Sequence, residues 1–226
     1  MVPCTMHSCT ILFVFLKESD CLKIKVFTQA AIKIEGTKTI YFDPYQIKEA
    51  YHDADYIFIT HDHYDHYDEE SLKNILKAET KLIVPECLKE KITKLNIDCL
   101  PVWPNEKYNI DNLSFETTFS YNLDKPFHPK EKGYVGYKIK LEDKYLYIMG
   151  DTDYLTENLH MTCDICFVPI GGTYTMNVEE AADYINKIKP ALAIPIHYGS
   201  IVGDLNLSRQ FIDLVNPNIK VEVYIK

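Results

Sequence analysis

Five ligand-type side chains fall within the six residues His61-Asp62-His63-Tyr64-Asp65-His66. Imidazole nitrogen and carboxylate oxygen are borderline-to-hard donors, a set that suits zinc, iron or manganese. The stretch directly follows the apolar run Tyr56-Ile57-Phe58-Ile59, so it leaves the end of a buried strand. Alternation along an extended segment puts His61 and His63 on one side and Asp62 and Tyr64 on the other. Asp65 and His66 come where the chain must turn, ahead of a helix-like segment that begins at Asp68. The spacing thus offers two ligands to one metal and two to a neighbour, with Asp62 and Tyr64 as support.

Two further apolar runs end in the same way. Residues 145–149 lead through Gly150 into Asp151-Thr152-Asp153, and residues 192–196 lead into His197-Tyr198-Gly199-Ser200. Loops beyond strand ends are where rigid scaffolds present chemistry. Gly150 lets the backbone turn sharply beside a ligand. His128 is a fourth candidate, in the proline-stiffened loop Lys125-Pro126-Phe127-His128-Pro129-Lys130 between two expected strands. His7, His52 and His160 have no strand-end context and read as structural or surface residues. Cys163-Asp164-Ile165-Cys166 spells a C-x-x-C but runs into a strand, so it too reads as structural; so does the thin group Cys4, His7 and Cys9.

The elements that must position these residues are legible in outline. Residues 23–27, 31–34 and 38–42 alternate like a meander of short antiparallel strands, and 56–60 is a buried strand. Asp68 with Glu69 and Glu70 marks the cap and acidic first turn of a helix reaching about Ala78. A short strand at 82–84 and a helix at 86–95 follow. In the second half the expected strands are 113–119, 134–141, 144–149, 165–168, 191–196 and 220–225, with helices at 178–188 and 207–215. Meanders followed by strand–helix alternation, twice over, predict two sheets face to face with helices outside. Residues 22–226 carry no linker and read as one domain; residues 1–21 read as an extension. Their apolar run Thr10–Leu16 is too short to span a bilayer and lacks the flanks of a signal peptide.

Composition narrows the function. The chain has 226 residues, 46% of them hydrophobic, and a formal net charge of −9. That charge argues against a nucleic-acid binder working through a broad basic surface. Seven cysteines, an odd number irregularly spaced, point to free thiols in a reducing, cytoplasmic setting. A homo-oligomer is compatible with this composition.

The succession H-D-H-Y-D-H, a lone His, G-D-T-D and I-P-I-H-Y-G-S resembles the metallo-β-lactamase superfamily over residues 22–226. It looks closest to the stand-alone metal-dependent hydrolases. That branch includes ascorbate-phosphate lactonase-like proteins and relatives of the phospholipase D acting on N-acyl phosphatidylethanolamine. The resemblance implies a four-layer αβ/βα sandwich, an α/β fold, with a dinuclear site at one edge of the sheets. It implies that His61, His63 and His128 hold one metal, Asp65, His66 and His197 a second, and Asp151 bridges them. Two divalent ions, zinc expected and manganese or iron(II) as alternatives, would hold a bridging hydroxide as nucleophile. Asp65 and Asp151 are then the expected catalytic carboxylates, and Asp43 and Asp55 are candidates to hold ligand imidazoles from behind.

Substrate signals are thinner. Lys125, Lys130 and Lys132 surround His128 and suit a phosphate or carboxylate. Tyr174 and Tyr198 are placed to donate to a developing oxyanion. Gly171-Gly172 precedes a helix and could approach an anion through backbone N–H groups, but without the lysine of a P-loop. The expected substrate is a small anionic ester, lactone or phosphodiester. The rival readings are an iron-dependent redox member of the same fold and a metal-binding protein without catalysis. Against the redox reading, the oxygen-reducing diiron branch usually carries Glu at the position of His63 and works with a flavin domain.

Overall fold

The computed structural model describes residues 22–225. Residues 1–21, including Cys4, His7 and Cys9, lie outside the described residues. Thirteen strands form two sheets. The first contains β1 (Lys23–Val26), β2 (Ile32–Glu35), β3 (Thr39–Phe42), β4 (Tyr56–Phe58), β5 (Lys81–Pro85) and β6 (Cys99–Val102) in sequential order. The second contains β7 (Lys107–Ile110), β8 (Leu113–Phe119), β9 (Val135–Leu141), β10 (Lys144–Ile148), β11 (Ile165–Pro169), β12 (Leu192–Ile196) and β13 (Lys220–Val221). Each sheet begins antiparallel and turns parallel: the change comes at β3–β4 in one and at β10–β11 in the other.

Side-chain alternation sorts these strands into layers. Ile40, Phe42, Tyr56, Phe58 and Ile83 face the second sheet, meeting Phe115, Tyr137, Ile139, Leu146, Phe167 and Ile194 in a shared core. The intervening Tyr41, Ile57, Leu82 and Val84 face outward and are covered by α1 (Glu69–Ile75) and α2 (Glu86–Thr93). On the other sheet, Tyr147, Cys166, Val168 and Ala193 are covered by α3 (Val178–Ile188) and α4 (Leu207–Leu214). Strands buried on both faces explain the near-continuous apolar runs that end in ligand residues. The expected four-layer sandwich is the one observed.

Caps behave as their residue types dictate. Asp68 accepts from Glu70 N at the start of α1, and Asn177 with Glu180 forms a reciprocal capping box at α3. Sequence patterning overlooks β6 and β7, the outermost strands of their sheets. Pro101 removes a ladder donor from β6, which an edge tolerates, and β7 exposes alternate polar residues. The expected 220–225 strand pairs only over Lys220–Val221. Among the described residues no helix is long and apolar enough to cross a membrane.

Candidate metal centre

Four loops converge at one edge of the sandwich, from the C-terminal ends of β4, β8, β10 and β12. They bring together all seven residues singled out as ligands. His61, His63 and His128 have donor atoms within 4.8 Å of one another, as do His61, His66 and Asp151, and Asp65, His66 and His197. Asp151 is central. Its Oδ2 lies 2.9 Å from His197 Nε2, 3.5 Å from His128 Nε2 and 3.9 Å from His61 Nε2, while its Oδ1 lies 3.4 Å from His66 Nε2. Asp65 Oδ2 lies 3.4 Å from His197 Nε2 and 3.6 Å from His66 Nε2.

The first histidine pair reaches this arrangement by a route other than strand alternation. β4 ends at Phe58, and residues 62–66 bend back on themselves, with His66 N and Tyr67 N both donating to His63 O. The turn, not an extended segment, puts Asp65 and His66 beside His61. Asp62 does act as support, accepting from Tyr134 Oη at 2.6 Å. Tyr64 points to solvent at 63% exposure.

Three imidazoles are oriented by oxygens behind them. Thr60 Oγ1 donates to Asp43 Oδ2 at 2.7 Å and so can accept the Nδ1 proton of His61 at 2.9 Å. Asp43 Oδ2 takes the Nδ1 proton of His66 at 2.8 Å. Asn122 Oδ1, an acceptor only, lies 2.9 Å from His128 Nδ1. Each arrangement engages Nδ1 and turns Nε2 toward the cluster. His63 turns its Nδ1 instead, 3.1 Å from His128 Nε2. His197 has no partner at Nδ1; its backbone N donates to Gln29 O at 2.9 Å.

Four atoms at the centre, His61 Nε2, His66 Nε2, His197 Nε2 and Asp151 Oδ1, are buried with no aligned hydrogen bond. Each such group costs about 1–3 kcal/mol in a dry interior. The backbone is strained in the same place. His197, Asp43 and Gln29 all take left-handed conformations, with φ of 58°, 43° and 50°. For residues other than glycine this costs of order 1–2 kcal/mol each and persists only where the surroundings enforce it. Gly150, at φ 68°, makes the sharp turn expected before Asp151.

Charge divides the cluster. Burial, then the nearby His66 charge, drives His61 well below the ordinary histidine range and lowers His63. Burial also takes His128 down to about 4. Burial opposes charge at His66 too, but Asp151 and Asp43 overcome it and hold His66 well above its ordinary value. At His197 Asp151 and Asp65 likewise prevail over burial and raise it to about 9. Burial would raise both carboxylates, yet His197 and His66 keep Asp151 well below the carboxylate range and Asp65 at about 2.

Other expected site residues lie elsewhere or are occupied. Lys125 pairs with Asp153 and donates to Thr175 O at 2.8 Å, tying two loops together. Lys130 reaches Tyr121 Oη at 3.1 Å and Glu157 at 3.3 Å and covers the Phe119 ring. Tyr198 is fully buried and donates to Ile225 O at 3.2 Å, so it packs and does not face the cluster. Gly171 does not cradle an anion: a Cβ there would collide with His197 O, and Gly172 N is used by Met176 O. Asp43 holds an imidazole as expected. Asp55 instead accepts from Thr39 N and pairs with Lys77. Tyr174 stands near the opening, edge-on to Phe127 at 4.5 Å. Cys163 and Cys166 are free thiols, with Cys166 buried.

Sequence reasoning missed Thr60, Asn122 and Gln29. Thr60 and Asn122 carry only a faint signal, a hydroxyl or amide next to a ligand-bearing loop. Gln29 is far away in sequence, between β1 and β2. It is fully buried, its Nε2 lies 3.5 Å from Asp65 Oδ2, and its Oε1 has no partner.

Comparison with known proteins agrees with this geometry. Residues 23–197 match the family model of the beta-lactamase superfamily domain. A UPF0173 protein of Pyrococcus abyssi is 31% identical over 76% of this chain and 80% of its own length. A UPF0173 metal-dependent hydrolase of the same organism is 28% identical over 89% and 96%. The crystal structure of a metal-dependent hydrolase from Parabacteroides distasonis superposes with a TM-score of 0.78 at 26% identity, covering 91% of this chain and 94% of that one. The expected family is therefore the observed one: the chain belongs to the metallo-β-lactamase superfamily and is a metal-dependent hydrolase.

Proposed function

We propose that this hydrolase works with two divalent ions, zinc by preference. His61, His63 and His128 would hold one and Asp65, His66 and His197 the other, with Asp151 placed to serve both. The observation that carries the reading is the set of four buried, unpartnered polar atoms spread over two adjoining groups of ligand-type side chains that share His66. Four such groups facing one another call for a cation. Three imidazoles in one half, two imidazoles and a carboxylate in the other, and Asp151 between them form a borderline donor set that suits zinc. When bound, such a pair of ions lowers the pKa of a water held between them and polarises the scissile oxygen.

The protein's own part is positioning. Thr60, Asp43 and Asn122 fix three imidazoles in the tautomer that presents Nε2. Asp65 stays ionised at neutral pH and would orient the attacking water and pass on its proton, with the Gln29 amide restraining Oδ2, the oxygen that faces His66 and His197. Burial of six of the seven ligands keeps bulk water out.

The substrate class is an ester, lactone or phosphodiester. Two of the three lysines that suggested further negative charge, Lys125 and Lys130, are engaged by Asp153 and Glu157, which weakens the demand for it. The chain acts on a small molecule, not on nucleic acid. Free thiols at Cys87, Cys99, Cys163 and Cys166 fit a reducing, cytoplasmic compartment.

The test is metal analysis of anaerobically purified protein, followed by a screen of model lactones, phosphodiesters and thioesters. Two zinc ions per chain are expected, with turnover lost to a chelator and restored by zinc. Redox-active iron with oxygen consumption, or no metal uptake, would overturn the assignment.

A further inference from the structure

The cluster reaches solvent at one ligand. His63 is partly exposed, and the other six are buried. The residues around that opening are aromatic. Tyr64, next to His63 in the chain, is 63% exposed and stands edge-on to Tyr45 with ring centroids 6.0 Å apart. Phe127, next to His128, is 41% exposed and stands perpendicular to Tyr174. His128, next to Phe127, has its Nε2 3.1 Å from Nδ1 of His63, next to Tyr64. The backbone O of Tyr174 accepts from Asn122, the residue behind His128, at 2.8 Å. Two ring pairs, Tyr45 with Tyr64 and Phe127 with Tyr174, thus flank the two neighbouring ligands His63 and His128.

Two of the three lysines near His128 are spent: Lys125 is paired with Asp153 and Lys130 with Glu157, which leaves Lys132 as the exposed cation of that loop. The single arginine of the chain, Arg209, lies on α4, which covers the far face of the second sheet. A multiply charged substrate would find no bidentate clamp here, whereas exposed rings bordering a polar centre suit an apolar group.

We propose that Tyr64, Phe127 and Tyr174 form the specificity surface of this enzyme, and that its substrate carries an aromatic or branched apolar group next to the scissile bond. The inference rests on the metal-hydrolase reading above. It also replaces the expectation of an anionic substrate: charge is confined to the group at the metals.

The test compares phenylphosphonate with methylphosphonate on zinc-loaded protein, by calorimetric titration, with zinc content measured for every sample. Tyr64 and Phe127 are exposed, so their truncation leaves the fold intact. The phenyl compound is expected to bind about tenfold tighter, as one or two ring contacts provide. Tyr64→Ala and Phe127→Ala should each erase most of that preference, and zinc content should stay at the wild-type level. Equal affinity of the two phosphonates, no binding of either, or a preference that survives in the double variant would overturn the proposal while leaving the metal centre standing. A protein that takes up no zinc would overturn the hydrolase mechanism, and this inference with it.

Discussion

The two halves of the cluster contain similar side chains in opposite electrostatic states. His61, His63 and His128 are held below the ordinary histidine range, so they are neutral at pH 7. His66 and His197 are held above it by Asp151, Asp43 and Asp65. The difference comes from the carboxylates. The first group is all imidazole, and burial decides its protonation. The second is interleaved with aspartates, which outweigh burial. A metal entering the first half meets free lone pairs; one entering the second must displace protons. Similar donor counts would thus give two metal sites with different pH dependence.

The strongest way to break this comparison is to remove what the halves share. Asp151→Ala should cost both ions and turnover together, beyond the roughly 10–100-fold typical of losing a supporting partner. Metal stoichiometry and kcat/KM check it, and retention of both ions would sink the bridging role. The next step separates the halves. His128→Ala and His197→Ala should each lower zinc from two ions to one, read by elemental analysis.

The pH contrast is sharpest in those single-site variants. His197 titrates at about 9 before metal enters, so below that pH it is protonated. Affinity at the half retained in His128→Ala should therefore fall roughly tenfold per pH unit, for each proton displaced, as pH drops from 9 to 6. The half retained in His197→Ala, already neutral above about 4 at His128, should stay nearly flat over the same range. Zinc titrations at several pH values decide this; parallel slopes would erase the distinction.

Smaller effects test the oxygens behind the imidazoles. Asp43→Asn should weaken metal at the His66 side, and Asn122→Ala at the His128 side, each by roughly 10–100-fold. Competition with a chromogenic chelator would show it. Lys130→Ala should leave both metal content and turnover unchanged, because its charge is spent on Glu157 at the surface. A clear rise in KM there would restore the idea of a basic rim.

Most elements were legible because two-sided burial makes strands read as apolar runs. The runs ending at residues 59, 149 and 196 placed the ligand loops correctly. The edge strands β6 and β7 were not legible, since an edge tolerates proline and exposed polar residues. Nor was the role of Lys125, whose partner Asp153 is 28 residues further along the chain.

Residue type and order alone determined the donor chemistry: seven imidazoles and carboxylates, placed after strand ends, in a recognisable succession. Local rules also determined the sharp turn at Gly150 and the caps of α1 and α3. Only the tertiary structure decided which candidate ligands come together, which histidines burial or carboxylates push down or up, and that Gln29 rests against Asp65. It also closed Lys125 and Lys130 of a lysine-rich loop into ion pairs and left aromatic rings beside the exposed ligand. Ligand identity is a property of single side chains. Protonation, pairing and access depend on distances and burial, which arise when loops distant in sequence meet at one edge of two packed sheets.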